Sequence, residues 1–288
     1  MRAAILAALA AFTLAYATVL VAALREGARQ GSAWIPTATH LGVGFVTNFF
    51  DTLGIGSFAP TTAIFKFRRL VPDHLIPGTL NAGHTLPVIL QAFLYIAVIE
   101  VDVATLLLLI GSATVGAWFG AGLVAGLARR TVQLGMGGAL LVAAVGLLMR
   151  QLDLFPSGGD SLQLRNWRLA AGMLGNFAFG AISTLGIGFY APCMTMVSLL
   201  GMNPVAAFPI MMGSGAFLMP VASARFVRRS AFLAPAAVGL TIGGLAGVPL
   251  AAFVVKSLEL TVLRWLVMVV VVYAAVVMVR SARQSPAA

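Results

Sequence analysis

The sequence has few charged residues and few residues of the kinds that catalyse reactions or bind metals. Charged side chains make up only 9% of the 288 residues, against about 25% in an average soluble domain. Hydrophobic residues make up 60%, and the mean hydropathy is +1.01. This composition excludes an ordinary soluble domain and predicts an all-α, polytopic membrane protein.

Cysteine and histidine are almost absent, which limits the available chemistry. The single cysteine, Cys193, excludes an intrachain disulfide framework and a CxxC metal site. The three histidines have no HExxH or similar spacing, so we expect no metal centre and no cofactor. Neither a nucleophile–base pair nor an ATP-binding motif is legible, and we therefore expect that the protein is not an enzyme.

The positive net charge reflects membrane topology. The net charge of +10 comes from 18 Lys and Arg against 8 Asp and Glu. The basic residues form short clusters between apolar runs, a pattern typical of cytoplasmic loops rather than of nucleic-acid binding. The clusters predicted to be cytoplasmic are Arg25/Arg29, Lys66/Arg68/Arg69, Arg129/Arg130, Arg225/Arg228/Arg229 and Arg280/Arg283.

The apolar runs divide the chain into five parts. Residues 1–30 are predicted to be an N-terminal transmembrane helix. A signal peptide is the alternative for its apolar run, but that run is longer than an h-region of about 7–15 residues and lacks a clean A-x-A cleavage site. The other parts are repeat 1 (31–150), an extracytoplasmic linker (151–166), repeat 2 (167–280) and a cytoplasmic tail (281–288).

Each repeat is predicted to be a broken helical hairpin followed by three transmembrane helices. The broken segments are Trp34–Phe67 and Trp167–Leu200. The other predicted helices are His74–Ile99, Val103–Leu127, Val132–Met149, Pro204–Phe226, Ala231–Val255 and Leu260–Val279. Gly111, Gly116, Gly120 and Gly122 recur at the spacing of small residues, which predicts close helix contact.

The charge pattern predicts that the two repeats are inverted. With the basic clusters inside, the turns Glu100–Asp102 and Gly201–Asn203 and the linker lie outside. The first broken segment then begins and ends inside, whereas the second begins and ends outside. We therefore expect two inverted repeats, with the N-terminus outside, the C-terminus in the cytoplasm and the two breaks meeting near the midplane.

A duplicated pentapeptide marks the two breaks. Thr-Leu-Gly-Ile-Gly occurs at Thr52–Gly56 and again 132 residues later at Thr184–Gly188, and Pro60 and Pro192 follow at the same offset. A single Gly-x-Gly in a membrane protein favours a kink with close packing by small residues. The exact duplication with matching prolines favours two helix breaks, and irregular backbone at that depth must be packed in protein or line a wet cavity.

The helix starts after the breaks predict an anion site. A helix N-terminus carries unpaired N–H donors and a partial positive charge, so it can hold a small oxyanion without a buried Arg or Lys. The candidate substrate-binding residues are Gly54, Ile55, Gly56, Ser57, Phe58, Asn81, His84, Gly186, Ile187, Gly188, Phe189, Tyr190 and Ser214.

Two ionisable residues are candidates for proton coupling. Asp51 and His84 lie within predicted spans, where an ionisable side chain is costly and predicts function by default. A carboxylate beside an anion repels it unless it is protonated, so Asp51 could link proton and substrate occupancy. The structural alternatives are that Asp51 caps the broken backbone and that His84 is a hydrogen-bonded interhelical histidine.

The chain resembles the sulfite exporter TauE/SafE family of membrane transporters. The paired Gly-Ile-Gly breaks with Pro60 and Pro192 carry the resemblance, together with Pro72, Pro204 and the glycine-rich helices. The resemblance implies export of a small sulfur-containing anion, such as sulfite or an organosulfonate, across the bacterial inner membrane. This chain departs from the usual glycine-rich break at Ser57, Phe58, Phe189 and Tyr190.

These features predict a proton-coupled secondary transporter, with export as the implied direction. We expect a small anion and the lipid bilayer as partners and no nucleic acid, with a homodimer as an open alternative. The alternative functions are a passive anion channel or permease and a non-transporting membrane scaffold subunit.

Overall fold

The protein is described here from a computed structural model that covers residues 2–53, 55–96, 100–154, 158–185 and 189–254, with some positions between 269 and 283. These residues form α-helices, one 3-10 turn at Asp73–Leu75 and no named strand. The helices are α1 (Arg2–Arg29), α2 (Ala38–Thr52), α3 (Phe58–Arg68), α4 (Ile76–Ile96), α5 (Val103–Val124), α6 (Arg129–Gln151), α7 (Asn166–Ser183), α8 (Tyr190–Leu199), α9 (Pro204–Arg228) and α10 (Ala234–Val254).

Four of these helices are long and apolar enough to cross a membrane, which supports a helical membrane protein. The four apolar stretches are Ala3–Arg29, Val103–Val124, Phe208–Arg228 and Ala234–Phe253. The stretch in α9 is the most buried, at 78%, and the one in α1 the least, at 22%. Most of the helix predicted at Leu260–Val279 lies outside the described residues.

Both predicted broken segments are interrupted where the pentapeptides lie. In the first break (residues 53–57), the amides of Leu53 and Ile55 both donate to the Phe50 carbonyl. Gly56 then adopts a φ of +91°, which a residue with a side chain takes only with strain. The second break (residues 184–189) separates α7 from α8. Pro60 and Pro192 lie in the first turns of α3 and α8, where a missing N–H costs little.

α4 and α9 form the centre of the bundle. They pack on each other, while α4 also packs on α10 and α9 also packs on α5. The arms that precede the breaks pack on the outer sides, α2 along α10 and α7 along α5, rather than along α3 and α8. The arm that precedes each break therefore depends on a helix outside its own broken segment for most of its packing.

Glycines allow the two outer pairs of helices to approach closely. A side chain at Gly116 or Gly120 of α5 would meet the backbone carbonyls of α7, and one at Gly243 or Gly247 of α10 would meet those of α2. The predicted close contact is thus confirmed for Gly116 and Gly120. A side chain at Gly122 would instead meet that of Arg225, and a Cβ at Gly111 would meet nothing within 4 Å.

The loops gather at two ends of the bundle. At the basic end, Lys66 and Gln133 both contact Asp73 Oδ2 at 2.7 Å, and Arg229 donates to the Gly122 carbonyl at 2.6 Å. The first two contacts join the end of α3 to the start of α6, and the third joins the end of α9 to that of α5, which a short loop connects to α6. Three of the basic clusters predicted to be cytoplasmic therefore lie at one end.

The linker end gathers the loops predicted to lie outside. The Asp102 amide donates to the Leu162 carbonyl at 3.0 Å, the Gly159 amide to the Met202 carbonyl at 3.1 Å, and the Asn203 amide to the Ser161 carbonyl at 2.8 Å. The α4–α5 turn, the linker and the α8–α9 turn are thus held together.

Candidate functional site

α4 carries a row of buried polar side chains through the centre of the bundle. Asn81, His84 and Gln91 are at most 1% exposed, although they lie in a helix that is otherwise mainly apolar. A buried polar group requires a hydrogen-bond partner, and several partners of these residues come from the two broken segments. α4 therefore organises the candidate site.

The end of α2 reaches this row through Asp51. Gln91 Nε2 donates to Asp51 Oδ2 at 2.9 Å and lies 3.2 Å from Thr52 Oγ1. The Tyr95 hydroxyl donates to the Thr52 carbonyl at 2.7 Å. The amide and the hydroxyl of Ser57, across the first break, also face the Asp51 carboxyl group. These described partners of Asp51 are neutral, so they solvate the carboxylate without neutralising it.

The start of α8, just after the second break, also contacts the Gln91 side chain. The Tyr190 hydroxyl donates to Gln91 Oε1 at 3.3 Å. Tyr190 also lies beside Gly215 of α9, where an added Cβ would be 3.5 Å from its hydroxyl. The single amide of Gln91 therefore connects the α2 end of one break to the α8 start of the other.

His84 has a partner on each side. Its Nδ1 lies 3.0 Å from Asn48 Oδ1 and its Nε2 lies 3.1 Å from Thr61 Oγ1. Asn48 directs its amide nitrogen to the Gly44 carbonyl, so its oxygen faces His84 and the ring donates from Nδ1. The ring of Phe58 lies 5.6 Å from the His84 ring. This arrangement matches the structural alternative for His84, a hydrogen-bonded interhelical histidine.

Asn81 lies beside the second break. Its Nδ2 donates to the Pro77 carbonyl at 2.8 Å and to the Thr184 carbonyl at 3.4 Å. Its Oδ1 is buried without a hydrogen-bond partner. Leaving a buried acceptor unpaired costs about 1–3 kcal/mol, so this oxygen is available to a ligand that carries a donor.

Among the described residues, three other buried side-chain polar atoms also lack a hydrogen-bond partner. They are Thr62 Oγ1, Asn176 Oδ1 and Ser214 Oγ. Thr62 lies on α3 just after the first break. Ser214 lies on α9 next to Gly215, which contacts Tyr190. Asn176 lies on α7 and donates to the Leu109 carbonyl of α5 at 3.1 Å, so it belongs to the α5–α7 contact.

Some of the remaining candidate substrate-binding residues are described by the structure, and others lie outside the described residues. Ile55, Ser57, Phe58 and Phe189 are all buried. Gly56 has open space around its Cα, since an added Cβ would meet nothing within 4 Å. Gly54, Gly186, Ile187 and Gly188 lie outside the described residues.

The residues that flank the two breaks contact α4 over a long stretch. Asn81, beside Thr184, precedes Gln91, beside Asp51, by ten residues, which is about 15 Å along a helix. The second break also reaches Gln91 through Tyr190. The candidate site is therefore elongated along α4, and the expectation that the two breaks meet near the midplane stays a prediction.

Sequence reasoning missed Gln91 and Tyr95. Gln91 is seven residues after His84 and four before Tyr95, a spacing that places all three on similar faces of a helix. A polar residue deep in an apolar span predicts function, and applying this rule beyond ionisable side chains would have identified Gln91. Within the described residues, no three His, Cys, Asp or Glu side chains lie close enough to hold a metal ion.

Compared with known proteins, this chain matches no family model, no curated protein and no solved structure.

Proposed function

We propose that the protein is a secondary transporter of a small anion, which binds along α4 between the two helix breaks. The observation that carries the proposal is the amide of Gln91, which is hydrogen-bonded to Asp51 at one break and to Tyr190 at the other. Buried polar groups and broken helices at the centre of a membrane bundle are typical of transporter sites.

Inverted repeats are part of this proposal, and helix pairing supports them. Exchange of α2 with α7, α3 with α8, α4 with α9 and α5 with α10 converts the α2–α10 contact into α7–α5 and the α4–α10 contact into α9–α5. The loop positions agree, since α3 ends at the basic end and α8 ends at the linker end. Such an architecture permits alternating access by rocking of one repeat against the other.

The substrate class is proposed from the helix starts. Ser57 and Phe189, the residues before α3 and α8, both have right-handed helical backbone and no side-chain capping bond. The first amides of the two helices thus lack side-chain caps and can receive an anion. The resemblance to the TauE/SafE transporters supports a sulfur-containing anion, such as sulfite or a sulfonate, and export from the bacterial cytoplasm.

Asp51 is proposed as the group that couples protons to transport. It is 1% exposed, so its charge would act on a nearby anion with little screening by water. A protonated Asp51 tolerates the anion and an ionised Asp51 repels it. Its contact with Ser57 also fits the alternative role, capping of the first break, and the two roles are compatible because the same carboxylate serves both.

A ligand screen by thermal unfolding tests the binding part of the proposal. We expect a sulfur oxyanion or sulfonate at 100 times its Kd to stabilise the protein by about 2.7 kcal/mol, and chloride and choline to have no such effect. Ser214→Ala should reduce this stabilisation, because the unpaired Ser214 hydroxyl can donate to an oxyanion, whereas Gln30→Ala, at an exposed position beyond α1, should leave it unchanged. Equal stabilisation of both variants would place the ligand elsewhere, and the absence of stabilisation by every anion would contradict the proposal.

A further inference from the structure

We propose that Gln91 is a positioning residue that transmits the protonation state of Asp51 to Tyr190, and so from the first break to the second. This inference rests on the proposed proton-coupled transport. It concerns a residue that is not part of the anion site as predicted from the sequence.

The inference starts from the orientation of the Gln91 amide. An ionised carboxylate can only accept hydrogen bonds, so the Nε2 donor of Gln91 must face Asp51 Oδ2, at 2.9 Å. The Oε1 acceptor then points the other way and accepts from the Tyr190 hydroxyl at 3.3 Å. Asp51 thereby fixes the direction in which the Tyr190 hydroxyl proton points.

Protonation of Asp51 changes what its carboxyl group requires. The new O–H is a donor, and a buried donor without an acceptor is costly. A rotation of the Gln91 amide by about 180° exchanges its two ends and places Oε1 toward Asp51. Nε2 then faces the Tyr190 oxygen, which must accept instead of donate, so the Tyr190 hydroxyl proton must turn to another acceptor.

The Gln91 amide is hydrogen-bonded to both residues. The titratable groups that face it are Asp51 from α2, Tyr95 from α4 itself and Tyr190 from α8. Tyr95 is held by the Thr52 carbonyl at 2.7 Å, an acceptor that no rotation of Gln91 alters. From α9, Gly215 lies beside Tyr190 and has no side chain to respond.

The described residues of the second half show no equivalent link. At the repeat offset of 132 residues, Asp51 corresponds to Ser183 and Gln91 to Ser223. Ser183 donates to the Gly180 carbonyl of its own helix, and Ser223 lies 2.8 Å from Thr85 Oγ1. A signal that starts at Asp51 therefore passes from repeat 1 to repeat 2.

Tyrosine labelling tests the transmission without a substrate. The chain has four tyrosines, so ¹³C at the Cζ position gives four resonances that single Tyr→Phe variants assign. In protein reconstituted in nanodiscs, we expect the Tyr190 resonance to shift as the pH is lowered through the titration of Asp51. The Tyr16 resonance is the internal control, because its hydroxyl donates to the Ala82 carbonyl, away from Asp51.

Two variants separate transmission from direct electrostatics. Asp51→Asn should abolish the pH-dependent shift of Tyr190, and Gln91→Leu should abolish it while Asp51 is retained. Gln91→Met is the second variant if Gln91→Leu does not fold, and it too should lose the wild-type shift because its unbranched side chain has no amide to rotate and no group that titrates. A wild-type Tyr190 resonance that does not move with pH, or one that moves equally without Gln91, would overturn the inference.

The outcome is independent of the transport proposal. If transport depends on pH but the Tyr190 resonance does not move, the transmission through Gln91 is wrong and the proposed transport function stands. If the Tyr190 resonance shifts in a way that depends on Gln91 but the protein transports no anion, the transmission is supported and the proposed function is wrong.

Discussion

At the scale of single residues, Asp102 shows how the turn between α4 and α5 is fixed. Its carboxylate accepts from both the amide of Thr105, at 2.8 Å, and the hydroxyl, at 2.7 Å, which caps the N-terminus of α5. The Thr105 hydroxyl oxygen accepts in turn from the Leu164 amide at 3.1 Å. These hydrogen bonds favour the ionised carboxylate, so the pKa of Asp102 is lowered in the folded protein.

The lowered pKa of Asp102 predicts a loss of stability in acid. Because the folded pKa lies below the unfolded one, the stabilisation is complete above the unfolded pKa of about 3.9 and is lost as the pH falls through the folded pKa. We expect Asp102→Ala to cost about 1 kcal/mol at neutral pH, measured by thermal unfolding. Asp102→Asn should keep part of the cap and lack this acid dependence. An alanine variant as stable as the wild type at neutral pH would show that the cap contributes nothing.

Single residues also show where sequence reasoning ends. Asp51 could be selected as a candidate because a carboxylate in an apolar run is conspicuous in any sequence. Its partner Gln91, 40 residues away, could not be paired with it, since the pairing depends on how α2 and α4 lie in three dimensions. The same applies to Asn48 and Thr61, which occupy both nitrogens of His84.

At the scale of helices, close packing depends on glycines that face a neighbouring backbone. α5 offers a matched comparison, because Gly120 faces the Ala181 carbonyl of α7 whereas Gly111 faces open space. The sequence spacing predicted close contact at both positions. The spacing could not distinguish the two positions, because tertiary packing decides which side of α5 contacts α7.

This difference predicts opposite outcomes for the same substitution. Gly120→Ala should destabilise the protein by about 1–3 kcal/mol because α5 and α7 must separate. Gly111→Ala should be neutral or stabilising by up to about 1 kcal/mol, as expected for alanine at an open helical position. Thermal unfolding of the two variants in one detergent measures the comparison. Equal stability of the two variants would contradict the packing of α5 on α7.

Helix boundaries were the most predictable part of the fold. The sequence predicted that a helix ends before each pentapeptide and that a new helix begins after it. The structure confirms this, since α3 begins at Phe58 and α8 at Tyr190. Pro and Gly determine these positions locally, so the sequence is sufficient. The packing of α2 along α10 and of α7 along α5 joins helices that are far apart in the sequence. It could not be predicted from any local sequence pattern.

At the scale of the whole molecule, the loops of the bundle form two groups, one at each end. The Lys66, Arg129 and Arg225 regions lie at one end, and the Asp102 turn, the linker and the Met202 turn lie at the other. A sequence rule based on charge alone arranged these loops in the same two groups. The side of the membrane on which each group lies follows from the positive-inside rule and is a prediction.

Cysteine labelling in right-side-out vesicles tests this orientation. In a Cys193→Ser background, a cysteine at Asp160 in the linker should react with an impermeant maleimide from outside. Gln30 follows α1, whose later turns pack on Val227 near the end of α9, and Gly126 follows α5; both are exposed. Cysteines at these two positions should react only after permeabilisation. Reaction of Asp160→Cys and Gly126→Cys from the same side would contradict the two-ended topology.

Anion flux in proteoliposomes tests the central claim, proton-coupled transport, most directly. Sulfoacetate is a suitable substrate because a sulfonate stays ionised and crosses a bare bilayer slowly. The account predicts saturable flux that an imposed pH gradient accelerates, and loss of this acceleration in Asp51→Asn with the protein still folded. Flux of sulfite, sulfoacetate and related anions equal to that of protein-free liposomes, or flux that neither saturates nor responds to pH, would contradict it.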